Sequence, residues 1–428
     1  MDCSKMLYLT PNMKEARDDS PEWDIIIVGA GPAGTAAALE TLNKKYKVAL
    51  MDKATFPRDK ICGDALSPDV IQQFARILPS LAERFAALEA KQEIDGLRTI
   101  APNKKQLDIK LNGRQMEKGY VVSRLDLDAL MMDEVKSHPE IQVFEDTEIL
   151  AIRHVGQFLR IETSKGFFST RILIGADGNH SIVAKLLGGR QSIDRKHHCA
   201  AMRQYFENVD WPEGRSLIEL HFMNEILPGY LWVFPMANNR ANVGIGMLSS
   251  DVSKRKVNLK KVLEHQLATH PELAPRFANA RPLETAKGFG IPIGSRRYAL
   301  SGKNYLLAGD AARIVDPLSG EGIGNALRSG RFAGKHALLA LEANRFDAGF
   351  LKAYDEKLYS MIGDELRISR FLQKSFRYRG TLNFLINLTT GSKKFRSLIH
   401  LLLEETNFFT EWARLSYYKR LITKKRKL

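Results

Sequence analysis

The stretch of residues 24–53 constrains the fold more than any other part of this sequence. An apolar run at residues 25–28 has the composition of a buried parallel strand, and it leads into Gly29, Gly31 and Gly34, a Gly-x-Gly-x-x-Gly turn that opens an alanine-rich segment. The first glycine permits a tight turn, the second lets a phosphate group approach the helix N-terminus, and the third allows helix and strand to pack closely. The stretch therefore predicts the strand, turn and helix of a dinucleotide-binding unit.

A second predicted strand supports this interpretation. Residues 47–51 are mostly apolar and deliver Asp52 at the spacing where a carboxylate accepts hydrogen bonds from an adenosine ribose. A glycine turn alone is weak evidence, because it also occurs as a purely structural feature. Set between two strands and followed by its acid, it predicts a dinucleotide site.

Two later apolar runs also end in a carboxylate. Residues 172–175 lead to Asp177, and residues 304–308 lead to Gly309 and Asp310. Ligands of open parallel sheets bind at the C-terminal ends of the strands, so both carboxylates are predicted near the cofactor, although Asp177 also fits a generic turn at a strand end. Residues 317–324 are glycine-rich and precede a helical segment, whose free N–H groups and dipole favour an anionic group of the ligand.

Composition excludes several classes of protein. The 428 residues carry a formal charge of +15, and residues 361–428 contain fifteen Lys and Arg against five Asp and Glu, a net +10. Cys3, Cys62 and Cys199 lack metal-ligand or disulfide spacing, which predicts no metal and suits a reducing cytosol. No apolar run reaches the ~18 residues of a membrane span, the segment before Asp24 lacks a signal-peptide core, and no nucleic-acid-binding pattern is present.

The sequence predicts an α/β fold with two sheets. Longer strands rich in aromatic residues follow residue 191, which indicates a mixed or antiparallel sheet inserted into a Rossmann-type domain, and the chain beyond Asp347 is predicted to be helical. The predicted division is a polar N-terminal segment (1–23), a discontinuous cofactor-binding domain (24–75, 116–190 and 285–345), a substrate-binding sheet domain (76–115 and 191–284) and a basic helical C-terminal region (346–428).

The pieces described so far, together with Arg124 after a predicted strand, resemble the FAD-dependent oxidoreductases of the hydroxybenzoate-hydroxylase fold. Narrower stretches are similar to the geranylgeranyl reductase family. They are Pro57-Arg-x-Lys60-x-Cys62-Gly63, Arg203-x-Tyr205, Pro228-Gly-Tyr-Leu-Trp-Val-Phe-Pro235 and Ala241-Asn-Val-Gly-Ile-Gly246. The resemblance covers roughly residues 24–345 and leaves out the basic C-terminal region.

The resemblance implies FAD, held tightly and without a covalent bond, and hydride transfer from reduced FAD to a double bond of a prenyl or polyene chain. It implies that Asp52 contacts the adenosine ribose, Arg124 the adenosine-phosphate end, and Asp310 the ribityl or pyrophosphate groups. The implied cofactor-binding residues are Gly29, Gly31, Gly34, Asp52, Lys53, Arg58, Cys62, Gly63, Arg124, Asp177, Gly309, Asp310, Gly320, Gly322 and Ile323. The catalytic candidates are Cys62, Tyr230 and Trp232, with a buried structural thiol as the alternative for Cys62.

A single dinucleotide turn implies that the electron donor, NAD(P)H or a small redox protein, docks transiently. Monooxygenases of the same fold, which use NAD(P)H and oxygen, are the main alternative. Flavin-dependent halogenases are a less favoured alternative. They carry Trp-x-Trp-x-Ile-Pro where this chain has Tyr230-Leu-Trp232-Val-Phe234-Pro235, so both positions that flank Trp232 differ. A non-enzymatic flavin-binding or membrane-scaffold protein would rest on the basic tail alone.

The basic C-terminal region mixes apolar groups with Lys and Arg. It therefore predicts either a cytoplasmic enzyme that is peripheral to an anionic membrane and acts on a lipid, or helices that pack on the enzyme with a solvated basic end. No nucleic-acid partner is predicted.

Overall fold

The computed structural model describes residues 21–42, 44–110, 118–190, 193–211 and 216–391. The strands in these ranges are β1 (Trp23–Val28), β2 (Val48–Met51), β3 (Ala65–Leu66), β4 (Gln92–Ile94), β5 (Gly96–Ile100), β6 (Gln106–Lys110), β7 (Gly119–Val121), β8 (Ile141–Phe144), β9 (Ile149–Val155), β10 (Phe158–Thr163), β11 (Gly166–Gly175), β12 (His198–Glu207), β13 (Leu217–His221), β14 (Tyr230–Met236), β15 (Arg240–Leu248), β16 (Arg281–Pro282), β17 (Lys287–Pro292), β18 (Ser301–Gly302) and β19 (Tyr305–Leu307). The helices are α1 (Pro32–Glu40), α2 (Pro68–Ile77), α3 (Pro79–Ala87), α4 (Arg124–Lys136), α5 (Ile182–Leu186), α6 (Ser249–Arg255), α7 (Leu259–Thr269), α8 (Ala274–Phe277), α9 (Ile323–Ala343), α10 (Ala348–Ser375) and α11 (Arg379–Gly391).

The first sheet has the strand order β18-β19-β11-β1-β2-β8, with β10 and β9 added antiparallel beside β11. Strands β19, β11, β1, β2 and β8 run parallel. Ile25, Ile26 and Ile27 of β1 are all fully buried, so both faces of this sheet are covered. The Rossmann-type α/β fold predicted from the glycine turn is confirmed.

Helices α1 and α9 pack together at backbone distance. A Cβ atom added to Gly330 would lie 2.0 Å from the carbonyl oxygen of Ala33, and one added to Gly334 would lie 2.6 Å from that of Ala37. Such a distance leaves no room for any side chain on α9 at these positions. Because residues 33 and 37 meet residues 330 and 334 in the same order, the two helices run parallel and both begin at the same edge of the sheet.

The second sheet has the order β16-β12-β15-β14-β13-β5-β6, with β17 also paired to β12. It is antiparallel except for β13 beside β5. Alternation along β14 sends Leu231 and Val233 into a core shared with α7, whereas Tyr230, Trp232 and Phe234 lie on the opposite face, against a separate apolar cluster. The predicted inserted sheet is therefore present, and its aromatic face is the one that can line a site.

The structure refines the limits of the two sheet regions. Strand β17 pairs antiparallel with β12, so the second sheet continues past residue 284 to Pro292. This pairing satisfies the backbone hydrogen-bonding groups of β17. Residues 76–87, predicted with the second sheet, supply Leu81 and Phe85 to the core of the first sheet instead. A third sheet, β3-β7-β4, has three strands, of which β4 and β7 flank β5 and β6 in the sequence.

The C-terminal region is helical through α10 and α11, as predicted, up to Gly391. Within the described residues, no helix combines the length and apolar character that a membrane crossing requires. The apolar and basic groups of residues 392–428, and residues 1–20 of the polar N-terminal segment, lie outside the described residues.

Candidate active site

The glycine turn after β1 faces two arginine side chains. A Cβ atom added to Gly31 would lie 3.7 Å from Nη2 of Arg58 and 3.8 Å from Nη2 of Arg124. Gly31 is also the N-terminal cap of α1, whose first turn leaves backbone N–H groups without intrahelical partners. Guanidinium groups and a helix N-terminus together form a site for an anion such as a pyrophosphate.

A buried carboxylate fixes both arginines in place. Asp128 accepts two hydrogen bonds from Arg124, at 2.6 and 2.7 Å, and one from Arg58 at 2.6 Å. Burial by itself would raise the pKa of Asp128, but the two guanidinium groups hold it below its ordinary value. Two cations share one anion here, so positive charge remains for a ligand at the turn.

Asp52, predicted to bind the ribose, lies directly beside the glycine turn. Its carboxylate accepts hydrogen bonds from the backbone N–H groups of Ala30 at 2.7 Å and Ala54 at 2.9 Å. A carboxylate has about four acceptor sites, so two remain for hydroxyl groups of a ligand. The neighbouring Lys53 is exposed.

The glycines on either side of Gly31 serve packing. Gly29 has φ +97°, and an added Cβ would lie 2.4 Å from the carbonyl oxygen of Ala176, while one on Gly34 would lie 1.7 Å from that of Gly29. Asp177 follows in the chain, but its carboxylate accepts from Ser181 Oγ and from the N–H groups of residues 182 and 183. It thus caps α5, and its backbone rather than its carboxylate lies beside the glycine turn.

The second glycine-rich segment lies at the start of α9. Asp310 sits in a 3-10 turn, Gly309–Ala312, where Lys60 lies 3.2 Å from its carboxylate. A Cβ atom added to Gly322 would lie 3.7 Å from the other carboxylate oxygen of Asp310, and Ile323 begins the helix. The structure therefore brings Asp310, Gly322 and Ile323 together, with Gly320 at φ +72° in the same turn.

A cavity of about 260 Å³ lies between the start of α9 and the second sheet. The catalytic candidates Cys62, Tyr230 and Trp232 all line it, as do Gly63 and the segment 319–323. The Tyr230 hydroxyl donates to the carbonyl of Ser319, which joins β14 to the segment before α9. Much of the remaining wall is apolar, and the side chains concerned are Ile94, Leu97, Ile218, Leu220, Phe234 and Ile291.

The polar end of the cavity holds carboxylates that the sequence did not reveal. Ser67 donates to Glu321 at 2.5 Å, and Arg328 donates to Asp69 at 2.6 Å. Burial raises the pKa of Glu321 to about 7. Burial, followed by the charges of neighbouring acids, raises that of Glu365 on α10 to about 8. Glu321 and Glu365 can therefore each hold a proton near neutral pH.

A second group of residues that sequence reasoning missed lies behind Cys62. Asn242 donates to the Cys62 carbonyl at 2.9 Å and to the Asp64 carboxylate at 2.8 Å, and it accepts from Trp232 Nε1 at 2.9 Å. Tyr205 donates to the same carboxylate at 2.5 Å. The available signal was a lone asparagine in the otherwise apolar run of residues 241–247, since a buried amide needs hydrogen-bond partners.

The residues present fit an FAD molecule. Two guanidinium groups border the space beside Gly31, where a pyrophosphate would lie. Asp52, at the end of β2, keeps free acceptor sites for a ribose. The start of α9 offers N–H groups at the far side of the same edge of the first sheet. The chain carries one such glycine turn in its described part, which suits one tightly held dinucleotide.

Comparison with known proteins agrees with this geometry. The model of the FAD binding domain family matches residues 22–360. Digeranylgeranylglycerophospholipid reductase 2 of Methanosphaera stadtmanae is 31% identical over 345 residues, 78% of this chain and 82% of that protein. Menaquinone reductase of Mycobacterium tuberculosis is 30% identical over 334 residues, 74% of this chain and 76% of that protein.

Solved structures share the fold. A geranylgeranyl bacteriochlorophyll reductase-like protein from Thermoplasma acidophilum has a TM-score of 0.74 at 22% identity, covering 86% of this chain and 92% of its own. A flavin-dependent brominase also has a TM-score of 0.74, at 20% identity, covering 95% and 100%. Identities this low show the fold alone, whereas the sequence relatives are named as reductases. This chain is therefore an FAD-dependent oxidoreductase that belongs to the geranylgeranyl reductase family.

Proposed function

We propose that this enzyme reduces carbon–carbon double bonds in the prenyl chain of a lipid. The observation that carries the proposal is the mostly apolar cavity whose wall unites Cys62, Tyr230 and Trp232 with the glycine turn before α9. Apolar and aromatic walls suit an isoprenoid chain, which offers no group for hydrogen bonding. The sequence relatives named for digeranylgeranylglycerophospholipid and menaquinone point to the same chemical class of substrate.

FAD, when bound and reduced, supplies hydride to this chemistry. The chain's own residues hold and orient the reactants. Arg58 and Arg124 would neutralise the charge of the cofactor's phosphates, and the backbone N–H groups at the start of α9 would stabilise negative charge on its ring. The aromatic face of β14 excludes water, which favours hydride transfer to the substrate over an unproductive reaction with oxygen. We assign cofactor contacts to the first sheet, substrate contacts to the second, and the electrons to transiently docked NAD(P)H or a small redox protein.

The first prediction tests the reaction itself. The purified enzyme, reduced and held without oxygen, is expected to reoxidise when an unsaturated prenyl lipid is added, and the lipid is expected to gain two hydrogens per double bond. Flavin absorbance follows the reoxidation, and mass spectrometry follows the lipid. A geranylgeranylated glycerophospholipid and a menaquinone are compared, and the saturated lipid is the control. Reoxidation that requires oxygen and adds a hydroxyl group to the product would show a monooxygenase instead.

The C-terminal helices suggest how such a lipid reaches the cavity. Leu382 and Ile386, on the inner face of α11, pack in a cluster that includes Phe222 and borders Leu220 and Tyr230, both of which line the cavity. Helix α11 therefore lies one layer of side chains away from the site. A lipid entering beside this helix would have a short path from a membrane to the cavity.

The outer side of the same region carries large apolar side chains in solvent. Phe371, Tyr378 and Phe384 are 67%, 68% and 64% exposed. Lys374 and Arg379 lie in the same stretch of chain. Aromatic side chains beside basic ones suit the interface of an anionic bilayer, and we propose that α10 and α11 contact such a surface peripherally.

The second prediction tests this contact. The enzyme is expected to sediment with anionic liposomes more than with neutral ones. The double variant Phe371→Ser/Phe384→Ser should bind about 10²- to 10⁴-fold more weakly, because burying each aromatic side chain contributes about 1.5–3 kcal/mol and two are removed. Phe167→Ser is the matched control, since Phe167 is 57% exposed on β11 in a different part of the chain. Equal sedimentation with both kinds of liposome would remove the membrane proposal.

A further inference from the structure

Asp64 is a buried acid that the proposed reaction has not yet used. It is fully buried in the wall of the cavity, and its backbone adopts the left-handed conformation, with φ +66°. One carboxylate oxygen accepts from Tyr205 at 2.5 Å and from Asn242 at 2.8 Å. The other oxygen, Oδ1, is buried without a hydrogen-bond partner among the described residues. A carboxyl group in this position has one free acceptor site that a proton can occupy.

The carboxyl group is connected to Cys62 in two ways. Asn242, which donates to Asp64, also donates to the Cys62 carbonyl at 2.9 Å and is itself held by Trp232 Nε1 at 2.9 Å. The charge of Asp64 also acts through space on the thiol, which lies two residues away in the chain. The Asp64 carboxylate and the Cys62 backbone therefore belong to one hydrogen-bonded unit, and a charge on Asp64 opposes ionisation of the thiol.

The charged neighbours of this unit set its protonation. Burial raises the pKa of Asp64 to about 7, although Tyr205, Arg203 and Arg124 all favour its ionised form. Burial also raises the pKa of the Cys62 thiol, the charge of Asp64 raises it further, and Arg124 and Lys60 oppose this. An ionised Asp64 therefore opposes ionisation of the thiol, whereas a protonated Asp64 does not.

We propose that Asp64, held by Tyr205 and Asn242, is the positioning residue that keeps the Cys62 thiol protonated until the thiol gives its proton to the substrate. This inference rests on the proposed function. One carbon of the double bond takes hydride, and the other takes the thiol proton as the S–H bond breaks. The resulting thiolate then recovers a proton from water. Cys62 is the group at the cavity, and Asp64 acts through it.

The third prediction measures this coupling without turnover. The FAD-loaded, full-length enzyme, with Cys3 and Cys199 replaced by Ser, is treated with iodoacetamide at pH 6–9, and alkylation of Cys62 is followed by intact mass. In Asp64→Asn the thiol should react about tenfold faster than in the parent above pH 7, which corresponds to a thiol pKa lowered by about one unit. At pH 6, where Asp64 is already protonated, the two proteins should react alike. Asparagine tolerates the left-handed backbone, so the variant keeps the loop conformation.

Two further variants separate this role from a structural one. Tyr205→Phe removes a hydrogen-bond donor to the carboxylate, so Asp64 should stay protonated to higher pH. The pH at which Cys62 alkylation falls below that of Asp64→Asn should therefore be higher than in the parent. Asp59→Asn is the matched control, because Asp59 lies on the same loop and pairs with Arg203 at 3.0 Å but does not contact Cys62 or Asn242 in the described contacts. It should follow the parent at every pH.

The possible outcomes are distinct. Identical pH curves for the parent and Asp64→Asn would overturn the proposal, as would a thiol that resists the reagent at every pH in both proteins. A difference shared by Asp59→Asn would indicate general loosening of the loop and would also count against it. Failure of the proposed function would appear separately, as absence of anaerobic reoxidation by prenyl lipid in the parent enzyme with the expected alkylation curves intact.

Discussion

Gly31→Val is expected to give a folded protein that has lost its FAD. Gly31 has φ −75° and ψ −173°, which any residue can adopt, and its added Cβ would meet the nearest atoms, the two arginine Nη2 groups, at ordinary contact distances of 3.7 and 3.8 Å. The valine side chain would instead fill the space between these guanidinium groups and the helix N-terminus. Hydrogen bonds to charged groups contribute about 1.5–3 kcal/mol each, so losing two should weaken binding about 10²- to 10⁴-fold.

The measurement is the ratio of flavin to protein after purification, together with circular dichroism to confirm folding. Gly31→Ala should retain part of the flavin, because its single methyl group fills less of the space. Gly34→Val is the contrasting variant, since its Cβ would lie 1.7 Å from the Gly29 carbonyl oxygen and should prevent folding altogether. A Gly31→Val protein that remains yellow at full stoichiometry would contradict the assignment of the phosphate site.

Trp232→Ala and Cys62→Ala are expected to slow anaerobic reoxidation by prenyl lipid about 10²-fold while leaving FAD bound, since displacement of about 1 Å at a reaction site costs that much. Trp232 lies against Gly244, where an added Cβ would be 2.1 Å from its ring, and its Nε1 fixes Asn242, which holds the Cys62 loop. Alanine at position 232 therefore removes cavity wall and frees the loop together. Among the described contacts, neither residue touches the glycine turn that is predicted to bind phosphate.

Trp232→Phe separates these two effects. It keeps an aromatic ring in the wall but removes the donor to Asn242, so its rate should fall between those of the parent and Trp232→Ala. Stopped-flow absorbance gives the reoxidation rate, and the flavin content gives the cofactor occupancy of each variant. A loss of FAD in step with the loss of rate would show that Trp232 and Cys62 serve cofactor binding rather than the reaction.

The parts of the site that could be predicted are formed by residues that lie close together in the sequence. The turn of Gly29, Gly31 and Gly34 and the acid at position 52 follow one another within a single strand-turn-helix-strand unit, so their spacing alone determines their geometry. Cys62, Tyr230 and Trp232 came from family resemblance, and the structure places all three in one cavity wall. Their chemical roles remain predictions.

The parts that could not be predicted depend on long-range contacts. Asp64, Tyr205 and Asn242 lie on three separate segments and meet only when the second sheet packs against the loop after β2. Glu365 reaches the cavity from α10, which no local pattern connects to the start of α9. Asp177 shows the opposite case, since its position at a strand end was predicted correctly, yet nearby N–H groups of α5 compete for its carboxylate.

The backbone contact between α1 and α9 fixes more than the packing of two helices. Because Gly330 and Gly334 rest on the carbonyls of Ala33 and Ala37, the interval between the two helix starts is independent of any side-chain rotamer. The distance between the starts of α1 and α9 is therefore fixed. The phosphates of the cofactor are predicted to bind at the first start and its ring at the second. A mononucleotide flavin carries the ring and one phosphate and can reach both helix starts, but it lacks the adenosine whose ribose Asp52 is predicted to hold, so the enzyme should bind it more weakly than FAD.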